Sequence, residues 1–446
     1  MTPYRISIIG TGYVGLCTAV GFASNGYKVV TTDHDSEKVT SINKGVPPFD
    51  ELYLGESLQN VVKEGYLRCM LSCEEAILST DITFITVGTP SKPNGSIDLE
   101  YTENAACEIG RALKRKENYH LVVVKSTVVP GVTENRVKPA IENLSGKCCG
   151  AKFGLCMNPE FLREGSALYD VLNPDRIVIG EYDQKSGDIL ENLYRDFYGG
   201  CMPPLIRTNL PTAELIKYTN NAFLATRISF INSIANICER VPGVDVKVVA
   251  KGIGLDKRIG PLFLDAGLGY GGSCLPKDVK ALIAFSKGLG YDPLLFNAVE
   301  EVNKAQANKA VKLCNTILID LKDKRIAILG LAFKPNTSDM REAVSIKIIN
   351  QLLQEGAKVV AYDPAATNNA KKIFKNKIEY APSAIDCINS ADCCIIITEW
   401  EEFRRLKPED FIKQMRKAVI IDGRLVYNPN EFKNKVKFAA VGLGIS

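Results

Sequence analysis

The sequence predicts an α/β chain with two doubly wound parallel-sheet domains joined by a helical middle that holds one long helix. Three observations predict it. The chain opens as strand, glycine turn, helix and strand: Tyr4 to Gly10, Thr11 to Asn25, then Tyr27 to Asp33. Later apolar runs, Ile82 to Val87 and Leu121 to Val124, lack polar alternation, as parallel strands buried on both faces do. The same scheme then recurs near the C-terminus in three echoes that keep their order. Lys324 to Gly330 repeats Arg5 to Gly10, Glu355 to Asp363 repeats Asn25 to Asp33, and Ser390 to Thr398 repeats Ser79 to Val87.

In the first domain (1–200) Gly10, Gly12 and Gly15 follow a strand and open a helix. The first glycine suits a tight turn, the second lets backbone approach a pyrophosphate, and the third lets helix pack on strand. The helix N-terminus offers unpaired N–H groups to phosphates. Asp33 ends the next strand at the place of a ribose-binding acid, with Asp35 as its competitor; strand alignment favours Asp33. This is a Rossmann-like dinucleotide site, and an acid there favours NAD over NADP. The middle (201–320) reads as two long helices, Pro211 to Val241 and Asp292 to Leu321. The last domain (321–446) is the second Rossmann-like copy. Its Gly330 is followed by Leu-Ala-Phe-Lys, without the glycine fingerprint, so another phosphate ligand is expected there.

A length of 446 residues fits two or three domains. A net charge of +4 with no basic block argues against nucleic acid as a partner. The fourteen cysteines include no C-x-x-C pair, so no metal site is expected, and most thiols read as small core hydrophobes in a reducing compartment. No apolar run is long enough for a bilayer, and the N-terminus carries no leader pattern. The expectation is a soluble, cytoplasmic protein without membrane contact. His34 and His120 are the only histidines, which leaves acid–base work to other groups.

The most informative stretch is Gly269-Tyr-Gly-Gly-Ser-Cys-Leu-Pro-Lys-Asp278. Glycines give access to Cys274, and Pro276 is expected at the first position of a helix. A thiol at a helix N-terminus beside Lys277 favours the thiolate. A thiolate beside NAD suggests addition to an aldehyde, oxidation of the thiohemiacetal, and hydrolysis of the resulting thioester. Each tetrahedral oxygen needs hydrogen-bonding or positive partners. Lys217 and Asn221, four apart on the long helix, suit that task, although this spacing also describes a solvated helix edge. Asn158-Pro159 reads as a helix start, which would place Glu160 and Glu164 on one face, to position water or sugar hydroxyls or simply to complement the helix dipole.

Taken together, Gly10-Thr-Gly-Tyr-Val-Gly15, Val87-Gly-Thr-Pro90, Lys125-Ser-Thr127, Asn158 to Gly165, Gly269 to Asp278, Phe333 to Arg341 and Asp422-Gly-Arg424 resemble the UDP-glucose/GDP-mannose dehydrogenase family over almost the whole chain. The resemblance implies a four-electron oxidation of a nucleotide sugar that consumes two NAD and passes through Cys274. It implies that Lys217 and Asn221 stabilise the oxyanion, and that Thr127, Glu160 and Asp278 place water and manage protons. Around the cofactor it implies Tyr13, Val14, Lys38, Thr89, Thr127, Glu164, Lys277 and Arg341, beside Asp33 and the glycines. For the nucleotide sugar it implies Glu160, Phe161, Leu162, Arg163, Glu164, Lys217, Asn221, Tyr270, Gly271, Lys334 and Arg424, with Arg258 from a neighbouring subunit. Members look like dimers or higher homo-oligomers built on the long helix. Tyr270 looks like the UDP-glucose branch. Asp50 to Gly55 and Asp265 depart from the commonest pattern. GDP-mannose or an N-acetylated UDP-sugar is the nearest alternative substrate. A two-electron dehydrogenase with a structural Cys274, or a non-catalytic NAD-binding protein, is the alternative of another class.

Overall fold

The structure, a computed structural model, describes residues 4–444; residues 1–3 and 445–446, which the outer domain ranges include, lie outside it. Packing divides the chain into two compact units at Asn220–Asn221. The first unit holds β1 (Ile6–Ile9), β2 (Val29–Thr32), β3 (Leu67–Met70), β4 (Ile82–Ile85), β5 (His120–Val124), β6 (Phe153–Met157), β7 (Ile177–Glu181) and β8 (Leu205–Asn209). They form one sheet in the order β3-β2-β1-β4-β5-β6-β7-β8. The second unit holds β9 (Arg325–Leu329), β10 (Lys358–Tyr362), β11 (Glu379–Tyr380), β12 (Cys393–Ile396), β13 (Val419–Asp422) and β14 (Lys437–Ala440), in the order β11-β10-β9-β12-β13-β14. The chain is therefore α/β with two doubly wound sheets, each reversing its strand order beside its first strand. Ligands of such sheets bind at the strand carboxyl ends at that reversal.

The strands lack alternation because both faces are buried. In β1, Ile6 and Ile8 join one core and Ile9 the other; in β9, Ile326 and Ile328 face one core, Ala327 and Leu329 the other. The adjacent Cys393 and Cys394 of β12 split the same way, which is why a neighbouring pair of thiols suits this strand. β6 and β7 are antiparallel, a feature absent from the sequence reading. The connection between them begins as a loop and carries one short helix, Ala167–Leu172, too little for a covering crossover back to the start of β6.

The middle helices are Leu210–Cys238 and Leu294–Leu318. Asn209 starts the first one, its Oδ1 accepting the Thr212 N–H at 2.9 Å, with Pro211 in the opening turn where no N–H partner is needed. No helix among the described residues is long and apolar enough to cross a membrane.

Candidate active site

The glycine turn after β1 meets three separate steric demands. Gly10 has φ +97°, and a Cβ there would lie 3.1 Å from the Thr86 carbonyl oxygen. A Cβ on Gly15 would fall 1.9 Å from the Gly10 carbonyl oxygen, so only glycine lets the helix Tyr13–Ser24 close on the strand. At Gly12 a Cβ would meet no described protein atom within 4 Å. The backbone is thus bare on the side where a pyrophosphate would approach the helix N-terminus, and the turn fits a dinucleotide. Tyr13 opens the helix and stacks on Phe49 with centroids 4.0 Å apart, and Val14 beside it is half-buried.

Asp33 follows β2 directly. Its Oδ2 accepts the Thr11 hydroxyl at 2.5 Å and the Thr11 N–H at 3.2 Å, while Oδ1 accepts the Asp35 N–H at 3.1 Å. Lys38 stands 3.9 Å from Oδ2. Burial opposes the ionised form, but these bonds and the Lys38 charge outweigh it and hold the carboxyl below the usual carboxylate range. Asp35 is instead the cap of the helix Ser36–Asn43, its Oδ1 accepting from Glu37 and Lys38. Thr89 is buried in the loop after β4 and Thr127 half-buried in the loop after β5.

The segment Asn158 to Glu164 is a loop, not the helix expected from Asn158-Pro159. Its side chains take the bonds a helix would have used. Asn158 accepts from Lys125 Nζ at 2.8 Å and Tyr194 Oη at 2.5 Å and donates to the Val178 carbonyl at 2.8 Å. Glu160 accepts the Leu162 N–H, and Asp170 accepts the Arg163 N–H at 2.8 Å. Glu51, in the Asp50 to Gly55 departure, accepts the N–H groups of Gly165 and Ala167 and so starts the helix Ala167–Leu172. The same Asp170 also forks on the Arg163 guanidinium, with Nη2 2.6 Å from Oδ1. Phe161 lies under Arg176 at 3.7 Å, and Leu162 packs against the core, while Glu164 is half-buried.

On the helix Leu210–Cys238, Lys217 and Asn221 stand one turn apart at 3% and 4% exposure, so this is not a solvated edge. Lys217 pairs with Glu160 at 3.0 Å, and both side chains are buried. Asn221 donates through Nδ2 to Asp278 Oδ2 at 2.6 Å, and Lys277 donates to Asp278 Oδ1 at 2.5 Å. Lys125, which opens the Lys125-Ser-Thr127 motif, is buried and bonded to Asn158, which makes it a member of the Glu160 cluster. The available signal is a lysine directly after the apolar run Leu121 to Val124.

Cys274 is the N-terminal cap of the helix Leu275–Gly288 and is exposed, whereas eight of the fourteen cysteines are buried. Pro276 occupies the second helical position, since Leu275 takes the first; either place spares the missing N–H. The loop before Cys274 is held by its own glycines. A Cβ on Gly271 would strike the Glu342 carbonyl oxygen at 2.4 Å, and one on Gly272, at φ +86°, the Phe333 ring at 2.7 Å. Asn303 grips Tyr270 twice, accepting its N–H at 2.8 Å and donating to its carbonyl at 3.1 Å. Gly272 N–H bonds the Arg341 carbonyl at 2.9 Å, which fixes the nucleophile loop to the Phe333 to Arg341 segment. Lys334 lies 5.8 Å from the Phe333 ring. The Arg341 guanidinium forks on Asp339, and Arg424 donates to the Ile397 carbonyl at 2.6 Å beside Gly267. Arg258 forks on Asp256 with its side chain 89% exposed.

The second sheet copies the first turn without its opening. Gly330 (φ +101°) abuts Thr398 as Gly10 abuts Thr86. Asp363, in the place of Asp33, is 2% exposed and accepts five donors: the N–H groups of Leu331, Ala332, Ala365 and Ala366 and the Trp400 indole. Its lone pairs are used up inside the fold.

Residues 4–198, 211–305 and 327–429 match three models of one family, described as the NAD binding, central and UDP binding domains of the UDP-glucose/GDP-mannose dehydrogenases. The chain is 45% identical over 428 residues to UDP-glucose 6-dehydrogenase AglM of Haloferax volcanii, covering 96% of this chain and 98% of that one. It is 43% identical over 430 residues to UDP-glucose 6-dehydrogenase TuaD of Bacillus subtilis, covering 96% and 91%. Among solved structures it resembles a UDP-glucose dehydrogenase from Pyrobaculum islandicum with a TM-score of 0.92 and 40% identity, covering 99% and 98% of the two chains. A UDP-D-ManNAc dehydrogenase from Pyrococcus horikoshii follows at 0.87 and 29%, covering 99% of each. The chain belongs to the UDP-glucose/GDP-mannose dehydrogenase family.

Proposed function

We propose that the chain oxidises the C6 alcohol of UDP-glucose to the carboxylate of UDP-glucuronate, in two NAD-dependent steps through Cys274. One observation carries the reading: an exposed thiol caps a helix whose first turn holds the buried Asp278, bonded by Lys277 and by the buried Asn221 of the long helix. Full-length similarity to UDP-glucose 6-dehydrogenases chooses the sugar.

When bound, NAD accepts two electrons and a hydrogen from C6 in each step. The glycine turn and Asp33 hold its pyrophosphate and ribose, with Lys38, Thr89, Glu164, Lys277 and Arg341 as further contacts. Asp278 takes up the hydroxyl proton through an ordered water as the alcohol becomes an aldehyde. Cys274 Sγ then bonds to the carbonyl carbon, and the carbonyl oxygen becomes an oxyanion that Lys217 and Asn221 stabilise by hydrogen bonds. The second oxidation leaves a thioester on Cys274. Water, placed by Thr127 and Glu160, attacks that carbonyl; the C–S bond breaks, the thiol is restored and the carboxylate departs. Phe161 to Arg163 line the sugar, with the Arg163 guanidinium committed to Asp170. Tyr270, Gly271, Lys334 and Arg424 hold the nucleotide, with Arg258 supplied by a second subunit.

The functional division we adopt is a cofactor domain (1–200), a central helical domain (201–320) and a nucleotide-sugar domain (321–446). The central helix supports a homodimer: Phe223, Phe230 and Ile237, seven apart, are 59%, 50% and 57% exposed along one stripe. A stripe of this kind is self-complementary across a two-fold axis. Fourteen cysteines without a disulfide suit the cytoplasm.

The test is NADH formed per sugar at completion with UDP-glucose, GDP-mannose, UDP-N-acetylmannosamine and UDP-N-acetylglucosamine. About two per UDP-glucose is expected for the thioester route. About one points to a simple dehydrogenase, and none to a binding protein.

A further inference from the structure

Lys125 closes β5, the apolar strand His120–Val124, and its side chain is buried rather than turned to water, with 8% exposure for the residue. A buried ammonium needs partners in place, because desolvation disfavours the charge. Its Nζ donates to Asn158 Oδ1 at 2.8 Å, and the same Asn158 is anchored through its Nδ2 on Val178 of β7. The Asn158 N–H in turn bonds the Val124 carbonyl at 2.8 Å, so Lys125 and Asn158 lie at the carboxyl ends of adjacent strands β5 and β6. Two residues beyond Asn158, Glu160 reaches Lys217 at 3.0 Å. Three ionisable groups therefore share one buried cluster: a carboxylate and two lysines.

We propose that Lys125 is a positioning residue for the Glu160–Lys217 pair, fixing through Asn158 the backbone from which Glu160 reaches and adding a second positive charge beside that carboxylate. The inference rests on the function proposed above. Glu160 comes from the loop after β6, Lys217 from the long helix, and the Tyr194 phenol from the helix Gln184–Tyr198, also bonded to Asn158. Burial, opposed by Glu160 and assisted by Lys217, brings the Lys125 ammonium down to about 8. Raising the pH through that value removes the second charge, leaves Glu160 with Lys217 alone, and ties Lys217 more tightly to its carboxylate than to an oxyanion.

The experiment compares wild type with Lys125→Met and Lys125→Arg in NAD-dependent oxidation of UDP-glucose from pH 6.5 to 9.5, with folding checked by thermal melts. The expected result is an alkaline limb in kcat near pH 8 for wild type. Lys125→Met should lower kcat about tenfold or more at pH 7 with KM for NAD unchanged and lose the limb. Lys125→Arg, charged throughout, should recover most of kcat and move the limb upward. Wild-type kcat and limb in folded Lys125→Met would overturn the proposal, as would Lys125→Arg being no better than Met. A titration of lysine ε-carbons by NMR, assigned by the Met variant, needs no substrate. Glu160→Gln should lower the Lys125 midpoint, and an unmoved midpoint counts against the coupling. Failure of wild type to oxidise UDP-glucose removes the function but leaves this titration decisive for Lys125.

Discussion

The Asn221 amide donates to the Asp278 carboxylate across 2.6 Å, with both residues almost wholly removed from water. Lys277 occupies the other oxygen, so Asp278 is held on both sides one helical turn after Cys274. Asn221→Ala should leave a buried carboxylate oxygen unpaired, at a cost of about 1–3 kcal/mol. Urea unfolding measures that loss, and the oxidation rate should fall by about 100-fold with it. A variant of wild-type stability and rate would mean the bond has no part in either.

Cys274 is exposed at the N-terminal end of its helix, outside the packed core. Cys274→Ser should therefore melt within about 2 °C of wild type while losing net formation of the acid. Quantifying sugar carboxylate by mass spectrometry separates this from a structural thiol, for which acid formation would continue.

The glycine turn makes opposite predictions two and five residues after Gly10. Gly15→Ala must push a methyl group into the Gly10 carbonyl and should lower stability by about 2 kcal/mol or more along with cofactor affinity. Gly12→Ala meets no described protein atom, so the fold should keep its melting temperature while NAD binds about tenfold more weakly or worse. Calorimetry on both variants distinguishes a packing defect from a blocked approach.

His120 is wholly buried in β5, with Thr83 Oγ1 2.7 Å from its Nε2. Burial, helped by the Lys116 charge and opposed by Asp81, pushes its pKa from 6.5 down to about 3. The unfolded chain then binds a proton that the folded chain refuses, so this residue costs stability progressively as pH falls from 6.5 towards 3. His120→Gln should flatten that part of the acid limb. Urea midpoints between pH 7 and 4 give the comparison, and an unchanged slope would reject it.

The exposed stripe of the long helix offers a fifth point of attack. Phe230→Glu should convert a homodimer to monomer without a large change in the monomer fold, since the ring is half exposed in one chain. Sedimentation velocity reads the outcome; a wild-type chain that is already monomeric would remove the dimer proposal.

The sequence by itself determined the features that a local backbone demands. Gly10 and Gly15 could be assigned from spacing because a tight turn and a close helix–strand contact tolerate no Cβ, whatever surrounds them. The two sheets were legible for the same reason: uninterrupted apolar strands can only be buried on both faces. Asn158-Pro159 misled because a helix-start signal is only a preference, and here Asn158 bonds to Lys125, Val178 and Tyr194 from three other elements. Only the tertiary structure decided whether Lys217 and Asn221 face water or the interior, since four-residue spacing is the same in both cases. It also decided that Asp363, the echo of Asp33, spends every lone pair on its own fold. Side-chain partners brought from far along the chain set burial and pairing, and no local pattern encodes them.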